Sequence, residues 1–183
     1  MILKLRKTVA FVGMMGAGKS TIGRVVAQKL NAPFLDSDSE IELAANMSVN
    51  EIFSRDGETF FRDRELQIIK RLLETEICIL STGGGAFVNE EIRKVMSYYG
   101  MSLWLNVDLD LLWARVKSKE SRPLLKTQNP FGALRDIFEK RQSIYALADA
   151  TIMAEKGLSI EQMSNRVIDV LKKRSDVLEQ IDD

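Results

Sequence analysis

A glycine-rich stretch near the N-terminus carries the most specific chemistry in this chain. Residues 13–21 read Gly-Met-Met-Gly-Ala-Gly-Lys-Ser-Thr, between an apolar run at 8–12 and a segment of helical period. Such glycines let successive backbone N–H groups close around a polyphosphate, while Lys19 reaches phosphate oxygens and the Ser20 hydroxyl holds Mg²⁺. An ordinary glycine turn is the alternative, but the strand, loop and helix in register favour a nucleoside triphosphate site.

Two further clusters come directly after predicted strands. Asp36 and Asp38 follow the run at 33–35, where both carboxylates could face Mg²⁺ and phosphates. The segment alone leaves open whether Asp38 is instead the N-cap of the next helix, and the two roles can coexist. The glycines at 83–85 follow the run at 77–80. Because they weaken secondary structure without adding a side chain, they indicate backbone pressed against another group, most simply a ligand.

Two arginines have less specific surroundings. Arg62 stands three residues before Glu65 at the start of a predicted helix, after Gly57 ends a shorter one. Taken alone, this spacing predicts a surface ion pair worth a few tenths of a kcal/mol. Arg122 lies in the polar stretch at about 117–130. This composition is typical of a solvated loop, and it also suits a lid that closes over bound substrates.

Composition limits the possible classes of protein. The 183 residues are 45% hydrophobic and 28% charged, which predicts one globular domain. Twenty-six basic residues balance 26 acidic ones, so no overall field attracts nucleic acid or an anionic membrane, although a local basic cleft remains compatible. Histidine is absent, so a proton acceptor must be Asp or Glu and a metal should be oxygen-liganded. The single cysteine, Cys78, stands in an apolar run that indicates a buried thiol.

The order of apolar segments predicts the elements that position these residues. Short β-rich runs at about 8–12, 33–35, 77–80, 102–107 and 150–153 alternate with helical segments at about 19–31, 39–46, 48–56, 59–74, 89–98, 108–118, 131–146 and 159–173. This alternation predicts an α/β fold whose parallel sheet is covered by helices on both faces and offers its carboxyl edge to ligands.

Smaller signals refine this prediction at the helix ends and the termini. Ser159 and Gln162 predict a capping box, and Asp108 predicts another helix cap. The acidic residues at 179–183 predict a solvated, frayed end. We find neither a secretory signal nor an apolar stretch of about twenty residues, so we expect a soluble cytoplasmic protein.

Together, and in this order, the clusters resemble the shikimate kinase family. The resemblance spans about residues 7–171 and rests on the Gly-Lys-Ser-Thr end of the glycine loop, Phe-x-Asp-x-Asp at 34–38, Phe-Arg-x-x-Glu at 61–65, the glycines 83–85, and Arg122-Pro123-Leu124-Leu125 followed by Arg141 and Tyr145. It implies a three-layer P-loop NTPase fold of the nucleoside monophosphate kinase type, α/β, with a five-stranded parallel sheet and a mobile lid. It also implies a single domain over 1–183, with a substrate-binding helical region at about 36–64 and the lid at about 117–130.

The resemblance further implies an activity and its partners. The reaction is transfer of the γ-phosphoryl group of ATP to the 3-hydroxyl of shikimate, giving shikimate 3-phosphate and ADP on the route to chorismate and the aromatic amino acids. The implied cofactor is Mg²⁺, carried in with ATP. We expect a monomer that binds neither nucleic acid nor membrane.

Residue roles are carried over from the family motifs position by position. Catalysis falls to Asp38 as candidate base, Lys19 and the lid residue Arg122. Nucleotide contacts fall to the loop and to an arginine that stacks on adenine: Gly16, Ala17, Gly18, Lys19, Ser20, Thr21, Arg115 and Arg122. Contacts to shikimate fall to Asp38, Arg62, Gly83, Gly84, Gly85 and Arg141, of which the two arginines hold the carboxylate. Ser20 and Asp36 serve the metal, Asp36 through water.

Two details of the sequence qualify the resemblance. Ser143 stands between Arg141 and Tyr145, where the family often has proline. The third strand ends in Ser81 and not in the aspartate of a standard Walker B motif, as is usual in this family, so Asp36 must serve the metal.

Two rival functions remain open at this point. Another small-molecule kinase on the same scaffold, such as a gluconate kinase, is separated only by Phe-Arg-x-x-Glu and the triple glycine. A nucleotide-dependent switch would not need paired substrate arginines, and the sequence has no Asn-Lys-x-Asp motif for reading guanine.

Overall fold

A central parallel sheet organises the chain, and the computed structural model describes residues 2–117 and 127–181. The strands are β1 Ile2–Leu5, β2 Thr8–Val12, β3 Phe34–Asp36, β4 Ile79–Ser81, β5 Gly100–Val107, β6 Ala150–Ala154 and β7 Leu178–Ile181. The helices are α1 Lys19–Lys29, α2 Ser37–Ala45, α3 Val49–Thr75, α4 Glu90–Tyr99, α5 Leu109–Val116, α6 Pro130–Tyr145 and α7 Ile160–Leu171, with a short 3₁₀ turn at Ala86–Val88.

Five of the strands form the main sheet in the order β3-β4-β2-β5-β6, all parallel. The middle strand β2 is buried at every position, as expected for an apolar strand covered on both faces. After β2 the chain forms β3 and β4 on one side of β2, and later β5 and β6 on the other side. The loop after β2 therefore lies at the point where the strand order reverses, which is where ligands bind in sheets of this type. The predicted fold class is confirmed.

Helices flank this sheet and pack on one another in pairs. Helix α1 packs against α7, and α3 packs against α4. Their ends follow the predicted caps: the Ser159 and Gln162 side chains form a capping box, and Asp108 accepts a hydrogen bond from the Leu111 N–H (2.8 Å).

Cys78 is fully buried, as predicted, and burial raises the pKa of its thiol to about 11. No helix in the described ranges is long and apolar enough to cross a membrane.

The ends of the described chain pair with each other, which sequence reasoning missed. Strands β1 and β7 form a separate two-stranded antiparallel sheet, in which Leu5 lies opposite the buried Leu178. The prediction of a frayed acidic end was therefore wrong for 179–181, while 182 and 183 lie outside the described residues. Each strand has four residues and its partner is far away in sequence, so no local pattern indicates the pairing.

Helices α2 and α3 form a helical region with its own small core. Ile41, Ile52 and Phe61 are buried together, apart from the main core. Gly57 interrupts α3 with φ 84° and ψ 173°, a conformation that is essentially restricted to glycine. The two helices predicted on either side of this residue are therefore confirmed, as the two arms of α3 that meet at Gly57. The kink sets the direction of the second arm, which carries the residues of Phe-Arg-x-x-Glu.

We expect Gly57→Ala to lower the free energy of unfolding by about 1 to 3 kcal/mol, because this backbone conformation is strained for alanine. A Cβ at Gly57 would meet no atom within 4 Å, so a steric clash does not contribute. Gly157→Ala is the matched control: its φ is 91°, its Cβ would also be free of contacts within 4 Å, and we expect a loss of about 1 to 2 kcal/mol. Urea unfolding measures both. A Gly57→Ala protein as stable as the parent would contradict the strained kink.

Candidate active site

The glycine loop has the backbone of a phosphate-binding loop. Gly13, Gly16 and Gly18 have positive φ angles of 135°, 79° and 93°. A Cβ on Gly16 would lie 2.6 Å from the Val116 side chain, so only glycine fits there. Within the described residues no side chain caps α1, whose first turn also holds no acidic group. The N–H groups at this end of the helix are therefore available to an anion.

Lys19 folds back over the loop. Its Nζ donates hydrogen bonds to the carbonyl oxygens of Gly13 (2.8 Å) and Met14 (2.9 Å), and the residue is 8% exposed. The ammonium group is thus held across the opening of the loop. A charge at this position is well placed for anionic oxygens that enter the loop.

Asp36, and not Asp38, is the N-cap of α2. Asp36 Oδ1 accepts hydrogen bonds from the N–H groups of Asp38 (3.1 Å) and Ser39 (3.4 Å), and α2 begins at Ser37. The alternative in which Asp38 caps the helix is therefore wrong. Asp36 Oδ2 accepts a hydrogen bond from the Ser20 hydroxyl at 2.9 Å. The two residues predicted for the metal thus meet, and they present the hard oxygen donors that Mg²⁺ prefers.

The glycines at 83 and 85 make room for charged side chains. A Cβ on Gly83 would lie 2.9 Å from Asp38 Oδ1 and 3.1 Å from Glu65 Oε1. A Cβ on Gly85 would lie 2.6 to 2.8 Å from the guanidinium atoms of Arg62. The crowding inferred from the sequence therefore comes, at these two positions, from side chains of the site. Any larger residue would displace a carboxylate or the guanidinium.

Arg62 and Glu65 form a largely buried pair, so the prediction of a surface ion pair was wrong. Arg62 Nη1 donates to Glu65 Oε2 at 2.7 Å, and the two side chains are 28% and 1% exposed. Burial alone would lower the pKa of Arg62, but Glu65 and Glu58 outweigh it and the pKa is raised. The spacing in the sequence correctly predicts that the two residues pair. Their burial results from the packing of α3 against the glycines 83–85.

Two carboxylates beside Gly83 have an oxygen without a partner. Asp38 Oδ1 and Glu65 Oε1 are the buried side-chain atoms in the described ranges that lack a hydrogen bond. Burial is the main reason why the pKa of Asp38 is raised, and Asp36 adds to it while Lys19 opposes it. Burial also raises the pKa of Glu65, against the effect of Arg62. A buried acceptor without a donor is costly, so this corner favours a ligand that brings hydroxyl groups.

Gly84 connects the glycine segment to α6 and to the glycine loop. Its carbonyl oxygen accepts hydrogen bonds from Arg141 Nη1 (3.1 Å) and from the Tyr145 hydroxyl. A Cβ on Gly84 would lie 3.4 Å from the backbone nitrogen of Met15. Arg62 and Arg141 therefore reach neighbouring residues of one segment, which in turn lies against the glycine loop.

A cavity of about 520 Å³ joins these groups. Of the residues predicted from sequence, those that line it are Gly16, Gly18, Lys19, Ser20, Thr21, Asp36, Asp38, Gly83, Gly84 and Arg115. Ala17 is buried under the loop. Gly85, Arg62 and Arg141 are not among the lining residues, but Arg141 contacts the lining residue Gly84 and Arg62 lies against the neighbouring Gly85. Arg122 and most of the predicted lid fall on 118–126, which lie outside the described residues.

A second surface groove, of about 590 Å³, lies along α4 and does not share this chemistry. Its lysine, Lys94, is paired with Glu90 and Glu91. Its arginine, Arg93, donates to the carbonyl oxygens of Phe87 and Val88. The charges of Lys94 and Arg93 are thus already satisfied by neighbours, whereas Asp38 in the cavity at the glycine loop keeps an unpartnered carboxylate oxygen.

Comparison with known proteins agrees with the geometry. Residues 15–172 match the sequence profile described as shikimate kinase. The chain belongs to the shikimate kinase family. It is 57% identical to the shikimate kinase of Ruegeria pomeroyi over 96% of this chain and 90% of that protein, and 53% identical to that of Cereibacter sphaeroides over 96% and 88%. The structure of the shikimate kinase from Acinetobacter baumannii in complex with shikimate has a TM-score of 0.85 and 33% identity, covering 92% of this chain and 94% of that one.

One departure from the shikimate kinase pattern leaves the local structure intact. Ser143 replaces the frequent proline, yet α6 continues to Tyr145. Arg141 and Tyr145 are four residues apart, so they share one face of the helix and both reach Gly84.

Several residues of the site were not assigned a role from sequence. Tyr145 entered only as part of a family motif, although its spacing from Arg141 could have indicated a shared target. Leu158, Ile160 and Met163 line the cavity beside the glycine loop, and no local pattern separates them from ordinary core positions.

Arg115, predicted to stack on adenine, donates to the carbonyl oxygens of Gly16 (3.2 Å) and Ala17 (3.3 Å).

We expect Tyr145→Phe to lower the free energy of unfolding by about 0.5 to 1.5 kcal/mol, because it removes a buried hydrogen-bond donor from the Gly84 carbonyl. Tyr98→Phe is the matched control, since Tyr98 is 78% exposed, and it should change stability by less than about 0.5 kcal/mol. Urea unfolding of both variants gives the comparison. Equal stabilities for the two would show that the hydroxyl does not support the glycine segment.

Proposed function

We propose that this chain transfers the γ-phosphoryl group of ATP to the 3-hydroxyl of shikimate in the cavity at the glycine loop. The observation that carries the proposal is the convergence of Arg62, Arg141 and Asp38 on three consecutive glycines that face a phosphate-binding loop. Membership of the shikimate kinase family and the shikimate complex of the Acinetobacter baumannii relative support it.

The acid end of shikimate is assigned to the two arginines. Arg62 is oriented by Glu65 and Glu58, and Arg141 by the Gly84 carbonyl. A carboxylate that binds between them accepts charge-assisted hydrogen bonds from both guanidinium groups. Each such bond contributes about 1.5 to 3 kcal/mol, so the pair accounts for most of the discrimination against an uncharged polyol.

The hydroxyl end is assigned to Asp38. Its Oδ1 has no protein partner, and its environment combines burial with the nearby charges of Asp36 and Lys19. A shikimate hydroxyl that donates to this oxygen removes the cost of the unpartnered acceptor. Asp38 then orients the attacking oxygen and takes its proton as phosphoryl transfer proceeds.

The nucleotide is assigned to the loop and to the groups around it. Backbone N–H groups of the loop bind the phosphates, and Lys19 exchanges its contacts with loop carbonyls for phosphate oxygens. Arg115 and the apolar side chains of Leu158 and Ile160 line the part of the cavity that we assign to adenine. Ser20 and Asp36 fit Mg²⁺, because their oxygens lie 2.9 Å apart at the cavity wall. An ion held there would supply positive charge to balance the negative charge of the phosphoryl group.

Some assignments rest on the sequence motif or on general chemistry. Arg122, in Arg122-Pro123-Leu124-Leu125, is assigned to the transferred phosphate and to a lid that excludes water. We expect the enzyme to act as a monomer. We place the enzyme in the cytoplasm, where ATP is available.

The direct test measures ADP release from Mg-ATP in a coupled assay with shikimate, with gluconate or with no acceptor. We expect rapid ADP release with shikimate and little or none with gluconate or without an acceptor. Turnover with gluconate would favour a sugar-acid kinase. Nucleotide binding without acceptor-dependent turnover would favour a switch protein, and either result would refute the proposal.

We expect Arg62→Ala to weaken shikimate binding about 10- to 150-fold, the effect of losing one charge-assisted hydrogen-bonding partner. ADP affinity should stay within about twofold, because the nucleotide contacts lie on other elements; this measurement also shows that the variant is folded. Arg64→Ala is the matched control, since Arg64 is an exposed residue of the same helix that contacts Gln67. Calorimetric titration with each ligand decides. Unchanged shikimate affinity in Arg62→Ala would exclude this residue from the site.

We expect Asp38→Asn to lower kcat about 100-fold or more, because an amide cannot accept the hydroxyl proton. The substitution keeps the size of the side chain, so ADP affinity and stability should be retained. Asp63→Asn, at an exposed position of α3, should have normal turnover. Initial rates at saturating shikimate and Mg-ATP give the result. Most of the activity surviving in Asp38→Asn would rule out its role in the transfer step.

A further inference from the structure

Ser81 occupies a position where three elements meet. It is the last residue of β4, and it lies opposite Asp36 of β3 and opposite Phe11 of β2 in the parallel register. The residue is 2% exposed, yet it lines the cavity at the glycine loop. Its Oγ lies 2.9 Å from the Oγ of Ser20, the first turn of α1. One buried hydroxyl is thus in contact with the Ser20 side chain while its own strand runs beside Asp36.

The direction of the hydrogen bonds in this cluster follows from counting protons. Ser20 Oγ donates to Asp36 Oδ2 at 2.9 Å, since a carboxylate accepts and has no proton to donate. A hydroxyl carries one proton, so Ser20 has none left for Ser81. In the contact between the two serines, Ser81 is therefore the donor and Ser20 the acceptor. The order is Ser81 to Ser20 to Asp36.

This order determines what Ser20 can offer to a ligand. One lone pair of the Ser20 oxygen accepts from Ser81 and its proton is directed at Asp36, so the rotation of the hydroxyl is fixed. One lone pair is left for a cation at the cavity wall. Donation to a carboxylate also increases the negative charge on the Ser20 oxygen, because linked hydrogen bonds polarise one another.

We propose that Ser81 is a positioning residue for the cation that enters with the nucleotide, acting by donating a hydrogen bond to Ser20 and thereby fixing the orientation of that ligand. The inference rests on the proposed function, in which Ser20 and Asp36 hold the cation. It adds a role for the position where the strand ends without an acidic residue. A serine supplies a donor at this point, whereas a second carboxylate beside Asp36 would supply only acceptors and a like charge.

The test measures how strongly Mg²⁺ increases the affinity for ADP, by calorimetric titration of ADP in EDTA and at a series of Mg²⁺ concentrations. In Ser81→Ala we expect Mg²⁺ to bind about three- to tenfold more weakly to the ADP complex, the effect of one hydrogen bond. ADP affinity in EDTA and shikimate affinity should match the parent protein. Ser81→Thr, which keeps the hydroxyl, should retain the Mg²⁺ dependence of the parent.

A matched control separates this effect from the loss of any buried serine. Ser102 is also buried in a strand, and its hydroxyl donates to Asp149 at 2.7 Å, away from the cavity. Ser102→Ala should leave the Mg²⁺ dependence unchanged.

Three results would overturn the inference. These are an unchanged Mg²⁺ dependence in Ser81→Ala, an equal loss of ADP affinity in EDTA, or the same weakening in Ser81→Thr as in Ser81→Ala. Failure of the proposed metal site itself has a different signature. In that case Mg²⁺ would not strengthen ADP binding to the parent protein at all.

Discussion

The absence of side chains at three consecutive positions is the constraint on which this site depends. Gly83 leaves space for two carboxylates, Gly85 for a guanidinium, and Gly84 for the backbone of the glycine loop. A Cβ on Gly83 would lie 2.9 Å from Asp38 and 3.1 Å from Glu65, and a Cβ on Gly85 would lie 2.6 to 2.8 Å from Arg62, so these charged groups would have to move. A Cβ on Gly84 would just touch the Met15 nitrogen at 3.4 Å. The segment follows β4, which is held between β2 and β3. The sheet therefore fixes a thin strip of backbone, and α2, α3 and α6 place charged groups along it.

Charge balance explains why these groups tolerate burial. Arg62 has Glu65 and Glu58 as partners, and Lys19 lies over carbonyl oxygens, so the buried cations have acceptors. The carboxylates are less well satisfied, because Asp38 and Glu65 each keep an oxygen without a donor. An unpartnered acceptor destabilises the folded protein, and a ligand with hydroxyl groups relieves that cost on binding. The site thus combines preformed cations for an acid with unmet acceptors for an alcohol, which is the pattern of groups on shikimate.

Sequence reasoning recovered the parts of this arrangement that depend on local signals. The glycine loop, the alternation of strands and helices, the caps at Asp108 and Ser159 and the break at Gly57 are each determined within a few residues of chain. It failed where the outcome depends on distant packing. The spacing of Arg62 and Glu65 indicates a pair, but only the contact with Gly83 and Gly85 buries it. Asp36 and Asp38 are equivalent as caps by composition, and the start of α2 at Ser37 decides between them. The pairing of β1 with β7 joins segments from opposite ends of the chain.

The two ligand sites that we propose share one wall. Gly84 faces the Met15 nitrogen of the glycine loop, while its carbonyl oxygen holds Arg141 and Tyr145 of α6. In the proposed function, the distance between a bound phosphate and a bound carboxylate would be set across this single residue of backbone, on the carboxyl side of a buried strand. Phosphoryl transfer requires the two reactants to be held in line more than it requires strong acid or base chemistry. A wall one residue thick between rigid elements meets that requirement before either ligand binds. The sheet then fixes where the reacting groups are held. The side chains need only supply the right kind of charge or acceptor.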